Sequence, residues 1–301
     1  MHNLEENFVI ILSIVKQSLK MVLDINGNLR KPGPPPKFSD AEIIALSLLS
    51  EALMLHSENY LFTLLLKYRG GLFKHLIERS RYNRRRKQLN NLTEKVRQTL
   101  AGQMAESENV FLIDSMPLEI CNFARAKRLR ICRYDYQTAP SFGRCNALRK
   151  TFYGYKLHTV TTCRGVITHF ALSKAHVPDT YFLQSIKHQY HGCLLLGDRS
   201  YLNNPMQQEL FEQHRILLHT PMRRNQRNYR IQPAVFRRTR RRIETLYSQL
   251  QDQFNVRKNY AKSFLGLATR ILAKITAFTI SQFINLAYKA TPMNRVKHLL
   301  V

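Results

Sequence analysis

The chain has 301 residues, and 47 lysines and arginines against 20 aspartates and glutamates give it a net charge of +27. A hydrophobic content of 44% excludes a disordered chain, and the length suits two domains. The charge is lopsided: residues 1–108 hold 16 basic and 11 acidic residues (+5), and residues 109–301 hold 31 and 9 (+22), so the expected partner is a polyanion, with nucleic acid ahead of anionic lipid or a merely solvated basic face.

Glu5 and Glu6 stand where an export signal needs basic residues, so no such signal is expected. The apolar stretch Asn7–Leu23 predicts a helix, and RKPGPPPK (30–37) then forces an extended segment. Ser39 with Glu42 three residues later fits a capping box, followed by Ala41, Ile44, Ala45, Leu48, Ala52 and Leu55 at helical spacing. Two more helices are expected at 60–78 and 88–105, with the basic run RSRYNRRRK (79–87) as the junction between them. Within that run Arg84, Arg85 and Arg86 are candidate phosphate contacts of a helix-turn-helix-like domain; a solvated helix junction is the plainer alternative.

After residue 108 the pattern changes to strands. NVFLIDSM ends in Asp114, and TFYGYKLHTVTT alternates Tyr153, Tyr155 and Leu157 against Phe152, Lys156 and His158. GVITHFALS follows a turn at Arg164–Gly165. DTYFLQSIKHQY reads as a helix capped by Asp179, CLLLGD as a buried strand, NNPMQQELFEQH as a helix and RILLHTP as the last strand. A long helix is expected over roughly 240–254 and an apolar one over 263–288. The order predicts an α/β fold, a mixed five-stranded sheet flanked by helices. The apolar run ITAFTISQFINLAY is shorter than the roughly 20 residues a spanning helix needs, so no membrane partner is expected. Five cysteines without a CxxC pair predict reduced thiols in a cytoplasmic protein.

Asp114 and Asp198 each close a short apolar strand, at the sheet edge where ligand sites collect. A lone buried carboxylate is costly, and two on neighbouring strands repel unless a divalent cation joins them. Glu244 is the candidate third donor, at the border of the helical stripe Ile243, Leu246, Tyr247, Leu250 and Phe254. Plainer roles exist for each: Asp114 as a cap at Met116–Pro117, and Asp198 and Glu244 as partners of nearby arginines. Oxygen donors suit Mg2+ or Mn2+, and no His/Cys set suits zinc.

FLIDSMPLEIC, KTFYGYKLHTVTTCRGVITHFALSKAHVPDT, LLLGDRSY and RRIETLYSQL, together spanning roughly 109–290, resemble the bacterial insertion-sequence DDE transposases, whose catalytic domain is ribonuclease H-like. The resemblance implies a helical DNA-end-binding domain at 1–107 and a catalytic domain at 108–301 that includes the C-terminal helix. It implies that Asp114, Asp198 and Glu244, 84 and then 46 residues apart, bind two Mg2+ or Mn2+ ions. Related families often carry Tyr, Arg and Lys seven before, four before and seven after the glutamate; those places are Arg237, Arg240 and Gln251 here, so only the arginine is kept. The implied activity is strand cleavage at element ends followed by transfer into target DNA. An endonuclease without strand transfer and a non-catalytic repressor derived from a transposase are the alternatives. Expected DNA contacts are Lys156, then Arg223, Arg224 and Arg227 in MRRNQRNYR, and Arg237, Arg240 and Arg241 in RRTRRR. The implied partners are terminal inverted repeats, target DNA and further copies of the chain, as a homodimer or larger, in a nucleoid-associated cytoplasmic protein.

Overall fold

A computed structural model describes residues 4–68, 71–145, 149–225 and 229–296, and divides the chain into two units, Met1–Met104 with Leu250–Val301 and Ala105–Gln249. In chain order the helices are α1 (Leu4–Ser18), α2 (Asp40–Ala52), α3 (Glu58–Leu65), α4 (Arg79–Gln88) and α5 (Asn90–Met104). Strands β1 (Val110–Glu119), β2 (Ser141–Cys145), β3 (Lys150–Thr162) and β4 (Ile167–Lys174) follow. The short α6 (Leu183–Ile186), β5 (Leu194–Leu196), α7 (Asn204–His214), β6 (Leu217–His219), α8 (Ala234–Asp252) and α9 (Phe264–Ala287) complete the chain.

The first unit is helical. Its capping box forms as expected: the Glu42 N–H donates to the Ser39 hydroxyl at 3.2 Å, and the Ser39 N–H donates to Glu42 Oε2 at 2.6 Å. The basic run expected as a junction is itself α4. Arg and Lys are good helix formers, no glycine or proline interrupts them, and Arg85, Arg86 and Lys87 occupy the last turn, where the helix dipole favours cations. The helix expected to reach residue 78 stops at Leu65 and tightens into a 3-10 turn, Leu66–Tyr68.

The last helix, α9, is expected from the sequence in the catalytic domain, but it packs in the helical unit against α2 and α5. By length and composition it could cross a membrane, yet most of it is buried within its unit, where Lys274 makes an ion pair with Glu51 at 2.6 Å. It is a core helix of that unit.

The second unit holds a six-stranded sheet in the order β2-β3-β1-β5-β6, with β4 also on β3. β1 runs antiparallel to β3, and β3 antiparallel to β2 and β4, while β5 is parallel to β1 and β6 parallel to β5. This mixed sheet with flanking helices is the α/β architecture expected from the order of elements in the sequence. The expected sheet lacked β2, whose sequence SFGRC has no run of β-branched residues to mark it. On one face, Phe111, Ile113, Val160 and Leu195 pack against Phe182, Leu183 and Ile186 of the α6 region and Leu210 of α7. On the other, α8 buries Ile243, Leu246 and Tyr247, and the Tyr247 hydroxyl shares a 2.9 Å hydrogen bond with Thr159 Oγ1. α8 begins at Ala234, six residues earlier than expected. All five cysteines are free thiols.

Gly154 lies where β1, β2 and β3 meet, opposite both Glu119 and Ser141. Its φ is +155°, and a Cβ there would stand 2.1 Å from the Leu118 carbonyl oxygen. Backbone cannot yield as a side-chain end can. Gly154→Ala is expected to destabilise the sheet unit by about 3 kcal/mol, read as a lower denaturation midpoint; an unchanged midpoint would show that the strands part without cost.

Candidate active site and nucleic-acid interface

The parallel pairing of β1 and β5 runs Val110 with Leu194, Phe111 with Leu195 and Leu112 with Leu196. Two residues further along each chain come Asp114 and Asp198, so the register itself brings the two carboxylates to one level. Their settings differ from expectation. Asp114 is not a strand tip: β1 continues to Glu119, and Asp114 faces Thr159 across the β1–β3 pair. Asp198 lies just beyond β5 and caps the 3-10 turn Arg199–Tyr201, accepting from the Ser200 N–H at 2.8 Å and from the Ser200 hydroxyl.

Neither carboxylate has the arginine partner that would make it merely structural. Asp114 accepts from the Ser115 N–H at 2.8 Å, and among the described residues no ion pair involves Asp114, Asp198 or Glu244. Burial and then the charge of Asp198 push the Asp114 carboxyl up to about 7, against the pull of the Ser115 N–H and Arg240. The buried hydroxyls of Tyr201 and Tyr247 are raised too, by burial first and then by their neighbours, Asp114, Asp179 and Asp198 among them. This is a focus of negative charge on a strongly basic chain.

Asp179 is expected from the sequence to cap a helix. Instead Pro178 precedes a 3-10 turn, and the Asp179 carboxylate accepts from Lys156 Nζ at 2.9 Å and from the Ser115 hydroxyl at 3.1 Å. Burial works against its charge, but the hydrogen bond and charge of Lys156 hold it below the usual carboxylate range. Lys156, which also donates to the Val177 carbonyl at 2.9 Å, is therefore committed inside the protein rather than offered to DNA. Beside it His158 stacks on Phe182, its Nε2 2.8 Å from the Ser173 hydroxyl, and burial pushes it down to about 4. The pairing of Asp179 with Lys156 escapes sequence reasoning, because a carboxylate after proline looks like a cap; the scarcity of acids is the one usable signal.

Glu244 is exposed on α8 and shares a groove of about 550 Å³ with Asp198. Arg237, Arg240 and Arg241 line the same groove, as do Arg199 of LLLGDRSY and Arg230, the last residue of MRRNQRNYR. Among the described residues no three His, Cys, Asp or Glu side chains already stand close enough to hold one metal ion. The convergent part is the aspartate pair, with Glu244 on the groove wall.

The other expected contacts divide. Arg84 is exposed, whereas Arg85 donates to the Phe38 carbonyl and to Asp40, both at 2.7 Å. Arg86 is buried beside Glu58, at 3.6 Å. Arg85 and Arg86 thus serve the helical unit's own packing, because α4 turns that side of its basic run inward. Arg223 and Arg224 are exposed, and Arg227 lies outside the described residues.

The sheet thus sets a carboxylate pair in register, and Asp198 borders an arginine-lined groove. A family model for the transposase DDE domain matches residues 104–263, more than half of the chain, and the chain belongs to that family. Among solved structures it is similar to the Mos1 transposase paired-end complex with left transposon end, at 14% identity over 86% of this chain and 83% of that one. The TM-score is 0.21, a likeness and no more. No curated protein matches the chain.

Proposed function

We propose that the chain cuts DNA at the ends of its element and joins the freed ends to target DNA, with Asp114, Asp198 and Glu244 holding Mg2+ or Mn2+, two ions in all. The observation that carries this is the register of β1 and β5, which brings to one level two carboxylates that have no ion pair among the described residues. The donor set fits such cations: hard oxygens only, one of them driven toward protonation by burial and then by its neighbour's charge.

Divalent ions, when bound, neutralise the charge on the attacking and leaving oxygens of a phosphodiester. The chain's own residues do the rest. Asp114 is fixed by its pairing with Thr159 of β3, and its carboxylate is held by the Ser115 N–H. Asp198 is fixed by its cap to Ser200, and Glu244 rides on a helix anchored by the Tyr247–Thr159 bond. The groove arginines Arg237, Arg240 and Arg241 draw the phosphates in and orient the scissile bond. Asp179 with Lys156 keeps a second charge pair internally neutral, so it does not compete with the open one. In this reading Arg84, Arg223, Arg224 and Arg227 add backbone contacts, residues 1–107 recognise element ends, and copies of the chain pair the two ends in the bacterial nucleoid.

The test uses labelled element ends with Mg2+. Asp198→Asn and Glu244→Gln are expected to keep DNA binding within about twofold and lose cleavage by about a thousandfold, the kinetic equivalent of several kcal/mol of charge stabilisation. Full cleavage by Asp198→Asn ends the metal assignment. In the wild type, cleavage without joined product leaves an endonuclease, and binding alone leaves a repressor.

A further inference from the structure

A cavity of about 640 Å³ lies within the helical unit, walled by residues of α3, α4, α9 and the segment before α9. Its wall carries five cations, Arg79, Arg86, Lys87, Lys262 and Arg270, against one carboxylate, Glu58. That carboxylate is already taken. Asn83 Nδ2 donates to both its oxygens at 2.9 Å, Arg270 stands at 3.2 Å and Arg86 at 3.6 Å. Among the described residues Arg79, Lys87 and Lys262 have no ion pair.

Two further features point to a ligand. Arg86 is only 6% exposed, yet its Nε has no hydrogen-bond partner, and a buried donor without an acceptor is costly. Two helices also begin at the cavity: Ser57 caps α3 and Ser263 caps α9, and both serines are in its wall. Helix starts present N–H groups and a partial positive charge, which favour an oxyanion. A carboxylate would satisfy one such direction. A tetrahedral phosphoryl group offers acceptor oxygens to the buried guanidinium, the helix starts and the rim cations at once.

We infer that this cavity is a phosphate-binding site, taking a phosphoryl group either from a DNA backbone or as free phosphate. The backbone source rests on the proposed DNA-processing role; the free-phosphate source does not. Glu58 holds Arg86 and Arg270 in place, and Arg79, Lys87 and Lys262 are left to meet the incoming group.

The triple variant Arg79→Gln, Lys87→Gln, Lys262→Gln removes the three unpaired cations and spares Glu58, Arg86 and Arg270. Its circular dichroism and its melting temperature in chloride serve as folding checks. The first arm compares melting of the full chain in inorganic phosphate and in chloride of equal ionic strength. Wild type is expected to melt higher in phosphate, and the variant to lose that shift. The second arm titrates labelled duplex across salt. The variant is expected to bind about tenfold more weakly, with the slope of log K against log salt shallower by about 0.9 for each phosphate that it no longer neutralises. A charge-matched control, Arg125→Gln, Lys127→Gln, Arg128→Gln, removes exposed cations from the other unit and is expected to bind better than the cavity variant. An effect in the duplex arm assigns the site to backbone phosphate, and one in the phosphate arm alone to the free anion. No phosphate shift in wild type, with equal duplex binding by the two triple variants, overturns the site. If wild type binds no duplex at all, the DNA-processing role fails, while the phosphate arm still decides the cavity.

Discussion

Asp114→Asn is expected to make the metal-free protein more stable while abolishing cleavage. The Asp114 carboxyl has an ordinary value of 3.8 and is raised to about 7 in the fold, by burial and then by Asp198. A folded-state value above the unfolded one means that the protonated form is favoured by the native structure. Its stabilisation is complete below 3.8 and is lost as pH rises through about 7, a change of about 4 kcal/mol. Asparagine keeps the neutral shape at every pH, so in a chelator at pH 8 the variant is expected to gain up to about 4 kcal/mol. His158 has the opposite sign. Its value falls from 6.5 to about 4, so the stability it gives is present above 6.5 and is lost, by about 3 kcal/mol, as pH falls toward 4. In wild type the two slopes largely offset each other between pH 4 and 7. In Asp114→Asn the His158 slope is no longer offset, and the lowered values of His56 and His219 act in the same direction, so stability climbs with pH across that window. Mg2+ should then stabilise wild type and not the variant. Denaturant unfolding in chelator at several pH values checks this; a variant no more stable than wild type at pH 8 means that the carboxylate pair is not the charge focus described above.

That carboxylate pair is the legible half of the site. Asp114 and Asp198 stand out in the sequence because an acid after an apolar strand is conspicuous on a chain this basic, and strand adjacency is enough to bring them together. That β1 runs on past Asp114 is hidden, since Pro117 and Leu118 do not read as strand continuation. Strand pairing to β3 overrides that local signal. The inward turn of Arg85 and Arg86 is hidden for another reason. A run of arginines looks the same whether it faces water or a buried Asp40 and Glu58, and those partners lie tens of residues away in sequence. The placement of α9 is equally out of reach, because periodicity reports that a helix is buried but not in which core. Local rules do hold where the cause is local: the Ser39–Glu42 box, the turn after β3, and the short strand ending before Asp198.

The α9 placement leads to the second large effect, at Lys274. Its side chain is 1% exposed and that of Glu51 2%, with the ammonium 2.6 Å from Glu51 Oε2 and 2.7 Å from the Phe254 carbonyl. Burial pulls the Lys274 value down more than Glu51 lifts it, so desolvation outweighs attraction in this pair. Such a pair adds little net stability, but it cannot be halved. Lys274→Met leaves a dry, unpaired carboxylate and is expected to cost about 3–5 kcal/mol, a fall of roughly 10 °C in melting temperature. The double variant Lys274→Met, Glu51→Leu removes both charges and is expected to regain most of that loss, or exceed wild type. His56 gives a further check. Its value is lowered by burial and then by the Lys274 charge, while Glu51 raises it. Without Lys274 the imidazole should protonate more readily and take over part of the pairing, so the single variant should recover some stability as pH falls below 6.5, whereas the double variant should not. A single variant that loses less than about 1 kcal/mol would mean that water reaches Glu51, and that α9 is not the closed core helix that its burial describes.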